Sequence, residues 1–286
     1  MKALDVYLDT CAILDLVQQP PRVAESQVES LRERVKHGSI RIVLSITSVA
    51  ELLGKFPCER TVLEEQLCTI RKITDTRRFI ADHAELLKAR MFVCVNGGTA
   101  PPPFYRGDLI WQLLDELATP DSQRDAELLQ VMREARARAQ GFAQTMQAIY
   151  TDVGTLWKKN SCRDPRSNPP AFADEWPGVS RLIATHLASA IGTHNTLSDE
   201  EVDRMLASRT IRVAVGYLAS RIYAGVFLKR TRSEGDWGDL LHTISASLCD
   251  VLVTPDGRFR EVLARIPGVG FKITDLDGLL SDTENR

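Results

Sequence analysis

Aromatic residues are scarce in this sequence: Phe, Trp and Tyr together make up 6% of its 286 residues. The core therefore has to be built mainly from Leu, Val, Ile and Ala. Hydrophobic residues as a whole make up 44% of the chain and charged residues 26%, which is typical of a soluble globular protein. The length exceeds the roughly 100–200 residues of one ordinary domain without clearly giving two.

Paired cysteines, an export signal and long apolar segments are also missing. The six cysteines include no C-x-x-C pair, so a zinc site is not expected. Asp5, Asp9 and Asp15 interrupt the apolar N-terminal run, which excludes a signal peptide. No apolar run approaches the ~18–20 residues needed to cross a bilayer. From the sequence we expect a cytoplasmic protein with reduced thiols and no membrane partner.

A strong net charge is absent as well. The formal net charge of -2 neither favours nor excludes a nucleic-acid partner. Its distribution is more informative, because Asp203–Arg232 carries seven Lys or Arg and one acid, whereas the chain beyond it is acidic. This pattern fits a phosphate-binding flank beside a metal site, and it equally fits a solvated basic helix face. The candidate nucleic-acid-binding residues are Arg221, Lys229, Arg230 and Arg232.

Hydrophobic periodicity divides the chain into two α/β ends and a helical middle. The N-terminal part predicts strand, helix, helix, strand and helix over 2–8, 12–17, 23–37, 41–44 and 49–55. The C-terminal part predicts helix, strand, helix and strand over 239–248, 251–254, 259–266 and 270–274. Almost no strand signal lies between them. We therefore predict an α/β protein whose mostly parallel sheet is built from 1–60 and 231–286, with 61–230 as an all-helical insertion packed on it.

Four carboxylates are expected at one edge of this sheet. Asp9 directly follows the first strand, and Asp256 follows the strand over 251–254 after one proline. Ligands of parallel sheets bind beyond the carboxyl ends of the strands. Glu51 lies on the helix after the second strand, and Asp239 opens the helix before the strand at 251–254. Four converging acids repel one another unless cations lie between them, so Mg²⁺ or Mn²⁺ is the expected cofactor.

Each of these residues also has a purely structural interpretation. Asp9 could cap the helix that follows it, and Asp256 could belong to a Pro-Asp-Gly turn. Glu51 could be a solvated helix residue. Asp236 competes with Asp239, since either could be the ligand and the other a cap.

Three further residues stand beside these acids. Thr254 could contact a metal-bound water or cap a turn, and Thr10 is a possible additional site residue. His242, three residues after Asp239, could be a general base, but a histidine packed in the core is the favoured interpretation.

Three blocks of sequence resemble the PIN-domain nucleases. They are VYLDTCAIL at 6–14, SITSVAELL at 45–53, and an acid-led helix and strand at 239–256 that ends in Thr-Pro-Asp. Each block alone is a weak signal, and their order makes the resemblance more specific. The resemblance covers about 1–60 and 235–286. The sequence departs from the family at Cys11, where the family usually has Asn or Ser.

The resemblance implies a PIN-like core and an Mg²⁺- or Mn²⁺-dependent endoribonuclease. Its catalytic and metal-binding residues would be Asp9, Glu51, Asp239 and Asp256, and its substrate single-stranded or structured RNA. The family also includes toxins neutralised by an antitoxin, so an antitoxin-like or other protein partner is possible, as is a homo-oligomer.

Other functions remain open from the sequence. A DNA nuclease could use the same acids, since the metal chemistry does not depend on the sugar. A catalytically weak PIN-like scaffold that binds nucleic acid or protein is a second alternative. A phosphatase of the haloacid-dehalogenase type is excluded because it needs an aspartate at the position of Cys11.

Overall fold

The computed structural model describes residues 2–17, 22–52, 60–74, 78–80, 82–106, 111–112, 122–160, 171–192, 197–228, 230 and 236–282. Their strands form one six-stranded sheet: β1 Leu4–Leu8, β2 Ile40–Ser45, β3 Arg78–Ile80, β4 Phe104–Arg106, β5 Val251–Val253 and β6 Lys272–Thr274. The helices in the N-terminal half are α1 Thr10–Val17, α2 Glu25–Lys36, α3 Ile46–Leu52, α4 Arg60–Ile73, α5 His83–Asn96 and α6 Ser122–Asn160. Those that follow are α7 Phe172–Ile191, α8 Asp199–Ala207, α9 Arg209–Phe227, α10 Asp236–Ala246, α11 Gly257–Ala264 and α12 Leu276–Asp282.

The sheet has the order β4-β3-β2-β1-β5-β6. All neighbouring strands are parallel except β3 and β4, which pair antiparallel at one edge. Starting from β1, the chain first builds outward through β2 and β3, and then returns to place β5 on the other side of β1. The order therefore reverses between β1 and β5, and such a switch point is where α/β sheets bind ligands.

Helices cover both faces of the sheet, so the second half of β1 is buried on both sides. In β1, Val6 and Leu8 point to a core shared with α1, α2 and α4, whereas Tyr7 points to the opposite core with α9 and α10. All three side chains are buried because a parallel strand in the middle of a sheet faces helices on both sides. The prediction of an α/β fold with a mostly parallel sheet is confirmed.

The middle of the chain is not all-helical, contrary to the sequence prediction. Strands β3 and β4 lie within 61–230 and extend the sheet beyond β2. Each has three residues that include an arginine, so neither forms the continuous apolar run that marks β5. The helices of this region also share one buried cluster with the sheet, since Tyr7 of β1 and Ile211 of α9 belong to the same core.

Helix α9 is buried on nearly every side. Fourteen of its 19 residues are buried, and it packs between α10 and the long helices α6 and α7. A helix that is apolar all round belongs to a core, and α9 fits this description. None of the helices in the described ranges is long and apolar enough to span a membrane.

Candidate functional site

Asp9 is fixed at the carboxyl end of β1 by its backbone and by its side chain. Its backbone N–H donates to the Val253 carbonyl at 3.1 Å, which extends the pairing of β1 with β5 by one residue. Its Oδ1 accepts a 2.6 Å hydrogen bond from the Ala12 N–H and thereby caps α1. The side chain is only 4% exposed. Asp9 thus fulfils the predicted capping role at the predicted place on the sheet edge.

The electrostatics of Asp9 are those of a buried carboxylate beside a second acid. Burial raises the pKa of Asp9 because it disfavours the charged form, and the charge of Asp256 raises it further. Hydrogen bonds from the Thr254 side chain and the Ala12 backbone, and the charge of His242, act in the opposite direction without cancelling the shift. A cation bound nearby would therefore stabilise the charged form of Asp9.

Asp256 follows β5 and caps the next helix. Its Oδ1 accepts from the Arg258 N–H at 2.7 Å and from the Phe259 N–H at 3.1 Å, and the residue is exposed. Thr254 is fully buried, and its Oγ1 accepts from the Asp256 N–H at 3.2 Å. Thr254 thus caps the turn that presents Asp256 at the same edge as Asp9.

Glu51 is a partly exposed helix residue that takes part in a polar network. Its Oε2 accepts a hydrogen bond from the Thr10 hydroxyl and lies 3.2 Å from Nε2 of His242. The side chain is 37% exposed. Burial would raise the pKa of Glu51, but the hydrogen bond and charge of His242, together with Thr10, outweigh it and lower the pKa. Glu51 is therefore held as an anion next to a positive partner.

His242 connects this network to the core. It is 5% exposed, and its Nδ1 lies 2.6 Å from the Tyr7 hydroxyl, while its Nε2 faces Glu51. Burial would lower the pKa of His242, but Tyr7 and Glu51 outweigh it and raise the pKa well above its ordinary value. The favoured prediction of a packed histidine is correct in its burial, whereas the pairing with Glu51 was not predicted.

Tyr7 is a site-supporting residue that sequence reasoning missed. Its hydroxyl lies 2.9 Å from Ser45 Oγ and 3.2 Å from Ser48 Oγ, in addition to its contact with His242. Tyrosine in the centre of a buried strand needs a partner for its hydroxyl, and this rule was the available signal.

Asp239 lies in the first turn of α10, at the carboxyl edge of the sheet. Its Oδ2 accepts a 3.3 Å hydrogen bond from the Tyr217 hydroxyl. The preceding Gly238 allows α10 to approach α3 closely, because a Cβ there would lie 3.2 Å from Glu51 Oε1. The side chain of Asp236 lies outside the described residues, so the choice between the two aspartates stays a prediction.

Three of the four predicted acids share one electrostatic neighbourhood around Cys11. Burial raises the pKa of the Cys11 thiol to about 11, and the charges of Asp9, Asp256 and Glu51 contribute to the rise. In the part of the chain that the structure describes, no group of three or more His, Cys, Asp or Glu is arranged to hold a metal ion. The acids are gathered at one edge, but their oxygens are engaged in caps and in the Glu51 network.

The predicted basic flank is only partly described. Arg230 is exposed and pairs with Glu261 at 2.7 Å, and Arg221 is half-buried on α9. Lys229 and Arg232 lie outside the described residues. Their role in binding nucleic acid stays a prediction.

Comparisons of the chain with protein-family models, with curated proteins and with solved structures find no match.

Proposed function

We propose that this protein is an Mg²⁺- or Mn²⁺-dependent phosphodiesterase that cleaves RNA. The observation that carries the proposal is the position of Asp9 and Asp256, which follow neighbouring parallel strands where the strand order reverses. Carboxylates at such a switch point have a binding crevice in front of them. Glu51 and Asp239 extend the acidic edge on α3 and α10, and the three-block resemblance to PIN-domain nucleases supplies the reaction type.

The donor set suits a hard divalent cation. Four carboxylates offer the oxygen ligands that Mg²⁺ and Mn²⁺ prefer. Burial and the charge of Asp256 both disfavour the charged form of Asp9, and a bound cation would offset this effect. Asp9, Glu51, Asp239 and Asp256 would hold the ion. A bound ion would lower the pKa of a water ligand and offset the charge of the phosphodiester.

The surrounding residues position these carboxylates. The cap to Ala12 and the hydrogen bond to Val253 fix Asp9 relative to β5. His242 holds Glu51 from the side of the core, and Tyr7 in turn orients His242. Such supporting hydrogen bonds normally orient ligands and tune their basicity, so the Tyr7–His242–Glu51 chain serves the site as a positioning device.

A binding scaffold without catalysis is the second candidate, and one observation favours it. Asp9 and Asp256 already accept hydrogen bonds as helix caps, and Glu51 is paired with His242 and Thr10. In this arrangement the acids contribute to the stability of the sheet edge without needing an ion.

A cleavage assay with matched variants separates these functions. Labelled single-stranded RNA and DNA of the same sequence are incubated with the protein and with Mg²⁺, Mn²⁺ or EDTA. Asp9→Asn removes the charge but keeps a good helix cap. Asp15→Asn is the control, because Asp15 lies on the same helix and pairs with Arg22 at 3.4 Å.

The proposal expects RNA cleavage that needs metal, falls at least about 100-fold in Asp9→Asn and is unchanged in Asp15→Asn. Cleavage of DNA alone would assign the same site to a DNA nuclease. Equal cleavage by Asp9→Asn and wild type would refute the carboxylate site. RNA binding by fluorescence anisotropy without cleavage in any metal would favour the scaffold.

A further inference from the structure

A pocket lies near the amino ends of the strands, whereas the carboxylates lie at the carboxyl ends. Its volume is about 450 Å³, within the roughly 300–1,000 Å³ of typical small-molecule sites. It lies between α5, the end of α8, the start of α9 and the turn that follows α10. Leu248 lies just before β5, so the pocket is at the amino end of this strand, whereas Asp9 and Asp256 follow carboxyl ends. The described lining residues are Arg90, Val93, Cys94, Arg204, Ser208, Arg209, Thr210, Ser247 and Leu248.

The lining is strongly basic. It contains Arg90, Arg204 and Arg209, and no Asp or Glu is among the described lining residues. The acid that acts electrostatically on Arg209 is Asp250, whose Oδ2 already accepts a 2.9 Å hydrogen bond from the Asp5 N–H. Three guanidinium groups against one engaged carboxylate leave a local excess of positive charge.

Two of the arginines are positioned by contacts that leave donors available. Arg204 Nε donates to the Cys94 carbonyl at 2.9 Å. Arg209 lies over the Phe271 ring at 5.5 Å and donates from Nη2 to the Cys249 carbonyl. The Nε atoms of Arg90 and Arg209 are buried and make no hydrogen bond among the described residues. Because these two atoms are closed to solvent, a ligand in the pocket would be bound by the other guanidinium nitrogens.

The start of α9 adds further donors. Ser208 is the N-cap residue, and its side chain makes no capping hydrogen bond. The first intrahelical bond runs from the Arg212 N–H to the Ser208 carbonyl, so the N–H groups before it point out of the helix end. The N-terminus of this 19-residue helix therefore lies at the pocket, at Ser208 and Thr210, where the C-terminus of α8 also lies.

We propose that this pocket binds a phosphorylated small molecule, such as a mononucleotide or free phosphate. Arg90, Arg204 and the start of α9 bind the phosphoryl group, because guanidinium groups and helix N-termini both match its charge and its several acceptor oxygens. Val93 and Leu248 supply an apolar wall for the rest of the ligand. The site is independent of the proposed nuclease function, since it contains none of the four acids.

Isothermal titration calorimetry in EDTA tests this proposal. AMP, inorganic phosphate and adenosine are the probes, since they share or lack the phosphoryl group and the nucleoside. We expect AMP and phosphate to bind and adenosine to bind at least tenfold more weakly than AMP. Tighter binding of AMP than of phosphate identifies a nucleotide as the ligand class, whereas equal binding identifies a free oxyanion.

Four variants locate the binding. Arg90→Gln and Arg204→Gln should each weaken AMP binding roughly 10- to 100-fold, the effect of losing a charged hydrogen-bond donor. Arg90→Gln is the safer variant for folding, because Arg90 Nε makes no hydrogen bond among the described residues. Arg133→Gln is the control, since Arg133 is exposed on α6 and outside the pocket. Asp9→Asn should bind AMP as wild type does, which separates this site from the carboxylates.

The proposal is overturned if neither AMP nor phosphate binds below about 10 mM, or if Arg90→Gln and Arg204→Gln bind AMP as tightly as wild type. It is also overturned if a short RNA binds at this surface while both small probes fail. Thermal unfolding in the presence of AMP gives a second measurement, in which the midpoint rises for wild type and Arg133→Gln but not for Arg90→Gln.

Discussion

At the residue scale, the least expected feature is the chain of contacts from Tyr7 through His242 to Glu51. Tyr7 and Glu51 come from the N-terminal part of the chain, and His242 lies 191 residues beyond Glu51. No local pattern in a single sequence connects residues so far apart. The positions of Asp9 and Asp256 could be predicted, because each follows directly from where a strand ends. The partner of Glu51 could not, because it depends on how α10 packs against α3.

A second buried histidine lies close to this network. His83 has its Nδ1 2.9 Å from Thr47 Oγ1 and its Nε2 2.7 Å from Ser245 Oγ. Burial, followed by the charge of His242, lowers the pKa of His83 to about 4, and the charges of Asp82 and Glu51 oppose this only partly. The folded protein therefore keeps His83 neutral at pH values where the unfolded chain is already protonated.

The free energy of unfolding should consequently fall as the pH is lowered from about 6.5 to about 4. In this window the unfolded chain binds a proton that folded His83 does not bind, and the stability is fully present above it. His83→Gln lacks this group, so its stability relative to wild type should improve by about 3 kcal/mol between pH 7 and pH 4. Urea unfolding of both proteins across this range measures the difference. A difference that stays constant with pH would show that His83 is not held neutral.

At the scale of elements, prediction succeeded where an apolar pattern marked the element and failed where that pattern was weak or interrupted. The helix and strand now seen as α10 and β5 were predicted because an acid, an apolar periodicity and a β-branched run follow in order. Helix α7 contains Pro177, a residue type that usually marks a loop or a helix end in a sequence.

A second feature at the scale of elements is Gly216, which lies in the buried helix α9. A Cβ at this position would collide with the side chain of Ile266, which is itself buried. The glycine therefore allows α9 to pack closely against the end of α11. This contact outweighs the lower helix propensity of glycine.

Gly216→Ala should lower the free energy of unfolding by about 1–3 kcal/mol, the usual cost of overpacking a core. The matched control is Gly141→Ala on α6, where a Cβ would meet nothing within 4 Å. This control should gain up to about 1 kcal/mol, since alanine is the better helix former. Chemical denaturation of the two variants measures both changes. Two changes of the same sign would mean that the approach of α9 to Ile266 is not a close contact.

At the scale of the whole molecule, the sheet separates two regions of opposite charge. The carboxyl edge gathers Asp9, Glu51 and Asp256, whereas the amino edge carries the arginine pocket beside Leu248. Both regions follow from the same topology, because α9 and α10 run between the two edges and present opposite ends to them. A net charge near zero therefore hides two local charges, which explains why composition alone indicated no partner.

The carboxylates at this edge should lower the free energy of unfolding, and a bound metal ion should raise it again. Asp9 is buried as a carboxylate beside Asp256, and both factors raise its pKa, so the charged form destabilises the folded protein. Asp9→Asn keeps the cap and removes this charge, and we expect its thermal midpoint in EDTA to lie above that of wild type. With Mg²⁺ at about 100 times its dissociation constant, wild type should gain about 2.7 kcal/mol, which raises its midpoint by several degrees.

Asp9→Asn should lose this response to Mg²⁺, and Asp15→Asn should retain it. Differential scanning calorimetry with EDTA and with increasing Mg²⁺ measures both effects without any substrate. A wild-type midpoint that does not respond to Mg²⁺ or Mn²⁺, together with a less stable Asp9→Asn in EDTA, would mean that Asp9 serves the fold only as a cap. The opposite pattern would indicate that the fold retains a buried charge at the end of β1 because a cation binds there.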